Sequence, residues 1–260
     1  MKIFLHADDF GRSPKISNSI FDSITKGKIN SVSVMVDEIT PDHEKLKKIK
    51  NLKMKLHLNL TEKEYFIYKD DKKIVKEFNF ITLIFISKKW RKVIVQEINK
   101  QIKRYVNFYD LEEIIIDGHE HAHIIPWVYK EIASIDYIKI KEVRWPYEKI
   151  IDFKLSHILN KRFIRNLIVV LLVKIILLFN KKYKFQSPIF FGLLYSDLYN
   201  KNILNSTIKS ARSMNKDTEI LLHPGHTDET EKGKFKNRYY KFYSSNQRIN
   251  EKELTYKISI

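Results

Sequence analysis

Two adjacent carboxylates, Asp8 and Asp9, close the first apolar run of the chain, "KIFLHADDFG". Like charges this close repel unless a cation lies beside them. The pair is therefore either an ordinary turn or a place where one carboxylate holds a metal ion and the other handles a proton. Further along, "LHLNLT" presents His57, Asn59 and Thr61, and "DGHEHAH" presents Asp117, His119, His121 and His123. "EVRWP" adds Arg144, and "EILLHPGH" adds Glu219, His223 and His226. A carboxylate oxygen and two neutral imidazoles, with a position left for water, make a sufficient ligand set for a catalytic divalent ion. Only one of the adjacent aspartates need bind, which frees the other as a base, and the ion's charge relieves their repulsion. Taken singly, each residue has a plainer role: a turn, a histidine bonded to a carbonyl, an arginine paired with a carboxylate. Taken together they point to a site. If "DGHEHAH" stays extended, its alternation puts all three histidines on one side, so spacing does not select which of them binds. His43 and His157 are read as structural.

The elements that must position these groups alternate between strand-like and helix-like. "KIFLHA" is a strand. "SPKISNSIFDSITKG" is a helix with Ser13 as N-cap, Pro14 in its first turn and Gly27 as its stop. "NSVSVMVD" and "LKMKLHLNLT" alternate as strands around a short helix, "PDHEKLKKIK". The stretch "KKWRKVIVQEINKQIKRYVNFY" has helical periodicity, and "LEEIIIDGHEHAH" is a buried strand ending in a histidine-rich loop. "PWVYKEIASI" is helical and "DYIKIKEVRW" a strand. Residues 149–184 are mostly helical, and "PIFFGLLY", "LYNKNILNSTIKSARSM" and "DTEILLHPG" give strand, helix, strand. Repeated β-then-α order predicts parallel strands wrapped by helices in one domain, with 149–184 as a helical insertion. In such folds side chains at the carboxyl ends of the strands converge.

Composition narrows the chemistry. The 260 residues contain no cysteine, so neither a disulfide framework nor a thiolate metal site is available. The formal charge is +17, but lysine is scattered rather than gathered into a basic-aromatic stripe, and no nucleic-acid partner is expected. The apolar opening is too short for a secretory signal, which gives a cytoplasmic expectation. Asn166 to Lys182 is strongly apolar but interrupted by Lys174 and shorter than a spanning helix requires. It is expected to be a buried or partly exposed helix, with contact to a membrane surface or a lipid-linked substrate as a lesser reading. Oligomeric state is not legible.

The ordered pieces "HADDFG", "SVSVMV", "LHLNLT", "QEINKQI", "DGHEHAHIIP", "VRWP", "FFG" and "EILLHPG" resemble the ChbG/HpnK (YdjC-like) family of carbohydrate deacetylases over nearly the whole chain. The resemblance implies a distorted (β/α) TIM-like barrel and hydrolysis of an N-acetyl group from an amino sugar or oligosaccharide with one divalent ion. That ion would be Mg2+ or Zn2+, with Mn2+ or Co2+ as further choices. It implies Asp9, His57 and His119 as metal ligands, Asp8 as base and His223 as general acid. Asn59, Thr61, His121, His123 and Arg144 would face the substrate or support the site. The chain departs from the family's pattern at Lys55, at Gly118 where serine is usual, and in a shortened C-terminal part. The other class of reading is a different metal hydrolase on a similar barrel, a phosphoesterase or amidohydrolase, which often holds two ions.

Overall fold

The structure, a computed structural model, describes residues 1–150, 159–183 and 185–258. Seven strands pair in one parallel sheet. These are β1 (Ile3–Phe10), β2 (Ser31–Val34), β3 (Lys53–Leu58), β6 (Glu113–Gly118), β7 (Lys139–Val143), β8 (Ile189–Phe191) and β9 (Thr218–Leu222). Their order is β7-β6-β3-β2-β1-β9-β8. The sheet curls into a distorted half-barrel, and a single parallel bridge between Glu148 and Phe190 brings its two edges together. The stretch 62–79, to which the sequence lends no clear pattern, holds an antiparallel hairpin of β4 (Glu64–Lys69) and β5 (Lys72–Glu77).

Alternation along the parallel strands separates two cores. Leu5 and Ala7, Val32 and Val34, Leu56 and Leu58, Ile114 and Ile116, and Ile220 and Leu222 are buried and share the outer face, against the helices. These include α1 (Pro14–Thr25), α4 (Lys88–Tyr109) and α7 (Lys201–Ser213). Ser13 caps α1 by accepting from the Ile16 N–H at 3.3 Å, as expected. The inner face is polar. His6, Ser31, Ser33, Lys55, His57, Asp117, Arg144 and Glu219 are all buried, and they bond to one another rather than to water. Buried charge is tolerable only when it is paired and its hydrogen bonds are satisfied.

The apolar stretch forms α6 (Lys161–Asn180), which lies within the expected helical insertion; residues 151–158 of that insertion, His157 among them, are outside the described residues. The chain ends in α8 (Asn237–Tyr243) and α9 (Asn246–Lys257). The second is tied down by Lys252 to Asp22 at 2.9 Å and by Glu251, which accepts the His223 N–H at 2.7 Å. His43 is structural: its Nε2 lies 2.8 Å from the Met35 carbonyl. Its ring also packs under Gly11, where φ is +90° and a Cβ would stand 2.4 Å from Met35 O.

Candidate active site

A regular strand would send neighbouring side chains to opposite faces. Asp8 and Asp9 nevertheless line the same cavity, because β1 slips register against β2 between Ala7 and Phe10. Asp9 sits at the slip with φ +75°, a conformation aspartate tolerates better than most residues. This bulge turns Asp9 toward the mouth of the barrel while Asp8 continues the inward row.

Asp8 is clamped. Arg144 donates Nη1–H to Asp8 Oδ2 at 2.9 Å and Nη2–H to Oδ1 at 2.8 Å, a bidentate pair. His6 Nε2 lies 3.0 Å from the same Oδ1. Burial alone would raise the Asp8 carboxyl, but Arg144 and His57 hold it well below the usual carboxylate range. Arg144 also reaches Asp117 Oδ2 at 2.7 Å and Glu219 Oε1 at 2.7 Å, and Lys55 pairs with Glu219 from the other side.

Asp9, His57 and His119 present one atom each within a 4.8 Å cluster. His57 Nδ1 is 2.7 Å from Asp117 Oδ1. An N–H donated there leaves the Nε2 lone pair facing Asp9 Oδ1 at 3.2 Å, with no hydrogen-bond partner on Nε2. His119 Nδ1 lies 2.9 Å from the same Asp9 oxygen, and its Nε2 lies 3.4 Å from Glu62 Oε1. Two acceptors facing each other across such a gap need a positive charge between them, a proton or a metal ion. A histidine ligand whose second nitrogen is held by a carboxylate is the arrangement that orients imidazole toward a metal.

Charge counting leads to the same demand. Asp8, Asp9, Asp117 and Glu219 are four buried carboxylates, against two permanent cations, Lys55 and Arg144. A divalent ion would cancel the deficit of two; without one, protons on His57 and His119 must do so. Burial would lower both imidazoles, yet Asp8 and Asp117 raise His57 to about 9, and Asp9 and Glu62 raise His119 well above its ordinary value. The residues fit a divalent ion. Two further clusters, His6–Asp117–Glu219 and Asp8–His57–Asp117, also gather donors. Their carboxylates are already bound to Arg144, Lys55 or His57, and only the Asp9 cluster turns all three members to the cavity.

The cavity measures about 330 Å³. His223 lines it with its ring edge-on to Phe242, the centroids 5.5 Å apart. Burial and the charge of Arg248 lower the His223 imidazole. The histidine loop does not stay extended. It folds into a 3₁₀ turn, His119–Ile124, kinked at Glu120 and His121, whose φ values are 50° and 55°. The three rings therefore diverge. His119 goes to Asp9, and His121 lines the cavity against Phe190. His123 turns inward, its Nε2 3.0 Å from the Arg144 carbonyl.

Asn59 and Thr61 do not line the cavity. Asn59 donates to Asp37 at 2.7 Å and accepts the Glu62 N–H at 3.1 Å, which fixes Glu62 behind His119. Thr61 is buried beside it. Glu62 itself, also paired with Arg12, is not signalled by the sequence, since a single glutamate after "NLT" resembles any loop acid. Arg238, Tyr239 and Phe242 of α8 line the cavity too, with Arg238 3.1 Å from Glu120 across the histidine turn. They come from a C-terminal stretch with no recognisable spacing.

Comparison with known proteins gives the chain a family and a fold neighbour. Residues 2–258 match the family model described as YdjC-like protein. A carbohydrate deacetylase of Danio rerio is 24% identical over 144 residues, 52% of this chain. The chain spans about half of that relative, 46% of its length. In fold, the chain is similar to the crystal structure of an Enterococcus faecalis V583 protein described as a candidate cellobiose-phosphate cleavage protein. The TM-score is 0.60 at 13% identity, covering 98% of this chain and 90% of the other. At that identity the likeness concerns the fold alone.

Proposed function

The chain belongs to the YdjC-like protein family, and from that premise we propose that it is a divalent-metal-dependent hydrolase that removes the acetyl group from an N-acetylated amino sugar or oligosaccharide. The observation that carries the reading is the gap between Asp9 Oδ1 and His57 Nε2, 3.2 Å wide, beside a second aspartate that stands outside this ligand set and is fixed by Arg144. Asp9, His57 and His119 would hold the ion. When bound, it would supply Lewis-acid polarisation of the acetyl carbonyl and lower the pKa of an attacking water.

The chain's own groups do the rest. Asp8, ionised and fixed in orientation by Arg144, accepts the proton of the attacking water. Asp117 holds His57 in the tautomer whose Nε2 faces Asp9, and the Glu62 carboxylate, 3.4 Å from His119 Nε2, draws positive charge to that ring. His223 delivers a proton to the departing amine nitrogen, without which a poor leaving group does not depart. Burial and Arg248 lower the pKa of its imidazole, so the protonated ring is a stronger acid and becomes more populated as pH falls. His121, Arg238 and Tyr239 shape the cavity for the sugar. A single ion suits this chemistry, since the neighbouring clusters have committed donors; a two-ion phosphoesterase or amidohydrolase would need them open.

The direct test is acetate release from a panel of N-acetylated saccharides, with and without chelator. Chelator-sensitive, metal-restored release is expected; release indifferent to chelator, or none from any saccharide, would overturn the reading.

Metal affinity should also depend on pH. Because Asp8 and Asp117 push His57 up to about 9 against its burial, and Asp9 and Glu62 raise His119, binding near neutrality must displace a proton from each. Apparent affinity should therefore rise with pH by about tenfold per unit for each proton displaced, levelling off near the His57 value. Calorimetry in buffers of different ionisation enthalpy would count the protons, and a flat profile would contradict the charge argument.

A further inference from the structure

α6 is long and apolar enough to cross a membrane, with a mean hydropathy of 2.2, yet one of its faces is committed to the barrel. Phe163, Asn166, Val170, Val173, Leu177 and Asn180 are buried at spacings of three and four, a single helical stripe. Asn166 donates to the Leu194 and Ser196 carbonyls at 3.1 and 2.8 Å, and Asn180 donates to the Ile124 carbonyl at 2.6 Å. A helix pinned in this way along its length lies on the protein and does not span a bilayer.

Its other face is apolar and exposed. Ile168, Leu171, Leu172, Ile175, Leu178 and Phe179 project outward, Leu178 56% and Phe179 71% accessible. A contiguous exposed patch of this kind marks an interaction surface. Cations bracket it, with Lys161, Arg162 and Arg165 at one end and Lys181 and Lys182 at the other, and residues 161–182 contain no acidic side chain. Against the C-terminal end of α6 lies a cleft of about 490 Å³, lined by Lys149, Lys174, Lys181 and Lys216 with Tyr147 and, among the described residues, without a carboxylate. A second copy of the chain docking through this face would bring basic ends together with no acid on either helix to pair them. An anionic surface has the complementary charge.

We propose that the outer face of α6 docks this chain on an anionic lipid bilayer, its apolar side chains entering the headgroup boundary and the lysine-lined cleft receiving lipid phosphates. The helix axis then lies in the membrane plane, as for amphipathic anchors whose binding combines apolar burial with attraction to anionic lipid. The inference does not depend on the proposed reaction. Ser196, whose carbonyl accepts from Asn166, also lines the cavity, so the docking helix lies one hydrogen bond from the site.

Flotation of the full chain with vesicles tests the proposal, using phosphatidylcholine alone and phosphatidylcholine mixed with phosphatidylglycerol. Binding to the mixed vesicles is expected, weaker by about tenfold or more on the neutral ones, because each basic residue at an anionic surface contributes about fivefold. Combined Leu172→Glu and Ile175→Glu substitution should abolish flotation while circular dichroism stays unchanged. Should that variant misfold, Lys181→Gln with Lys182→Gln, two surface changes, should still lower anionic binding by about tenfold or more. No flotation of the wild type with anionic vesicles at low salt would overturn the proposal, and so would flotation untouched by either variant. A dimer in sedimentation that the glutamate variant dissociates would overturn it as well, by assigning the face to a second copy.

Discussion

Asp8→Asn is expected to lower kcat by about a hundredfold to ten-thousandfold, the range for loss of a positioned general base, while the protein still takes up its metal. The substitution keeps the shape of the side chain but removes its charge and its ability to take up a proton, and it replaces one of the two acceptors facing Arg144 with an NH2 donor. Arg144 retains Asp117 and Glu219 as partners at 2.7 Å each, so the interior network stays anchored. One negative charge is lost near the cluster, which should weaken affinity for the ion without changing stoichiometry at saturation. His57→Ala should behave oppositely and lose the metal itself. Parallel metal analysis and acetate kinetics on the two variants check this division of labour. Equal metal loss in both would show that Asp8 is a ligand and that the assignment of roles is wrong.

The second large effect is on stability. Arg144→Met should destabilise the fold by about 3–5 kcal/mol, the usual cost of stranding buried charges by removing one partner. Arg144 is wholly buried and is the shared partner of Asp8, Asp117 and Glu219; methionine fills similar space but leaves Asp8 with His6, Asp117 with His57 and only Glu219 with a permanent cation, Lys55. The sign of the pH dependence follows. In the wild type, burial would raise both carboxyls, but Arg144 and His57 hold Asp117, and Lys55 and Arg144 hold Glu219, below their ordinary values. They therefore contribute stability that is present above the unfolded carboxylate range and lost as pH falls through their folded values. In the variant, burial is opposed chiefly by Lys55 and His57, the folded values rise, and less stability is lost on acidification. Urea unfolding across this range should show the gap between wild type and variant narrowing from neutral pH toward about pH 4. A variant as stable as wild type at neutral pH would mean that the interior carboxylates are not ionised. Arg144→Lys should recover only part of the loss, because an ammonium cannot reproduce the two-pronged contact with Asp8.

Sequence patterning exposes some of this architecture and hides the rest, for identifiable reasons. The order of strands and helices is visible because period-two and period-3.6 runs alternate between clear caps, as at Ser13 and Pro14 of α1. The residues of the Asp9 cluster are visible because each ends a strand. Their convergence depends on a bulge that no periodicity encodes: Asp9 reaches the cavity only through its positive φ. In "DGHEHAH" the expectation of alternation fails because two consecutive left-handed residues replace the extended backbone. Lys55, a departure from the family's pattern, becomes intelligible only in three dimensions, as the second cation on Glu219. Long-range partners such as Glu62, and the α8 side chains that close the cavity, are set by packing between distant segments, which leaves no local signature.

The account stands on one cation shared by the opening acidic turn and two histidines. Crystals grown with Co2+ and measured across the cobalt absorption edge would locate it. One anomalous peak per chain, bounded by Asp9 Oδ1, His57 Nε2 and His119 Nδ1, is the predicted result. An empty cluster at saturating cobalt, or a peak held by other residues, would contradict it.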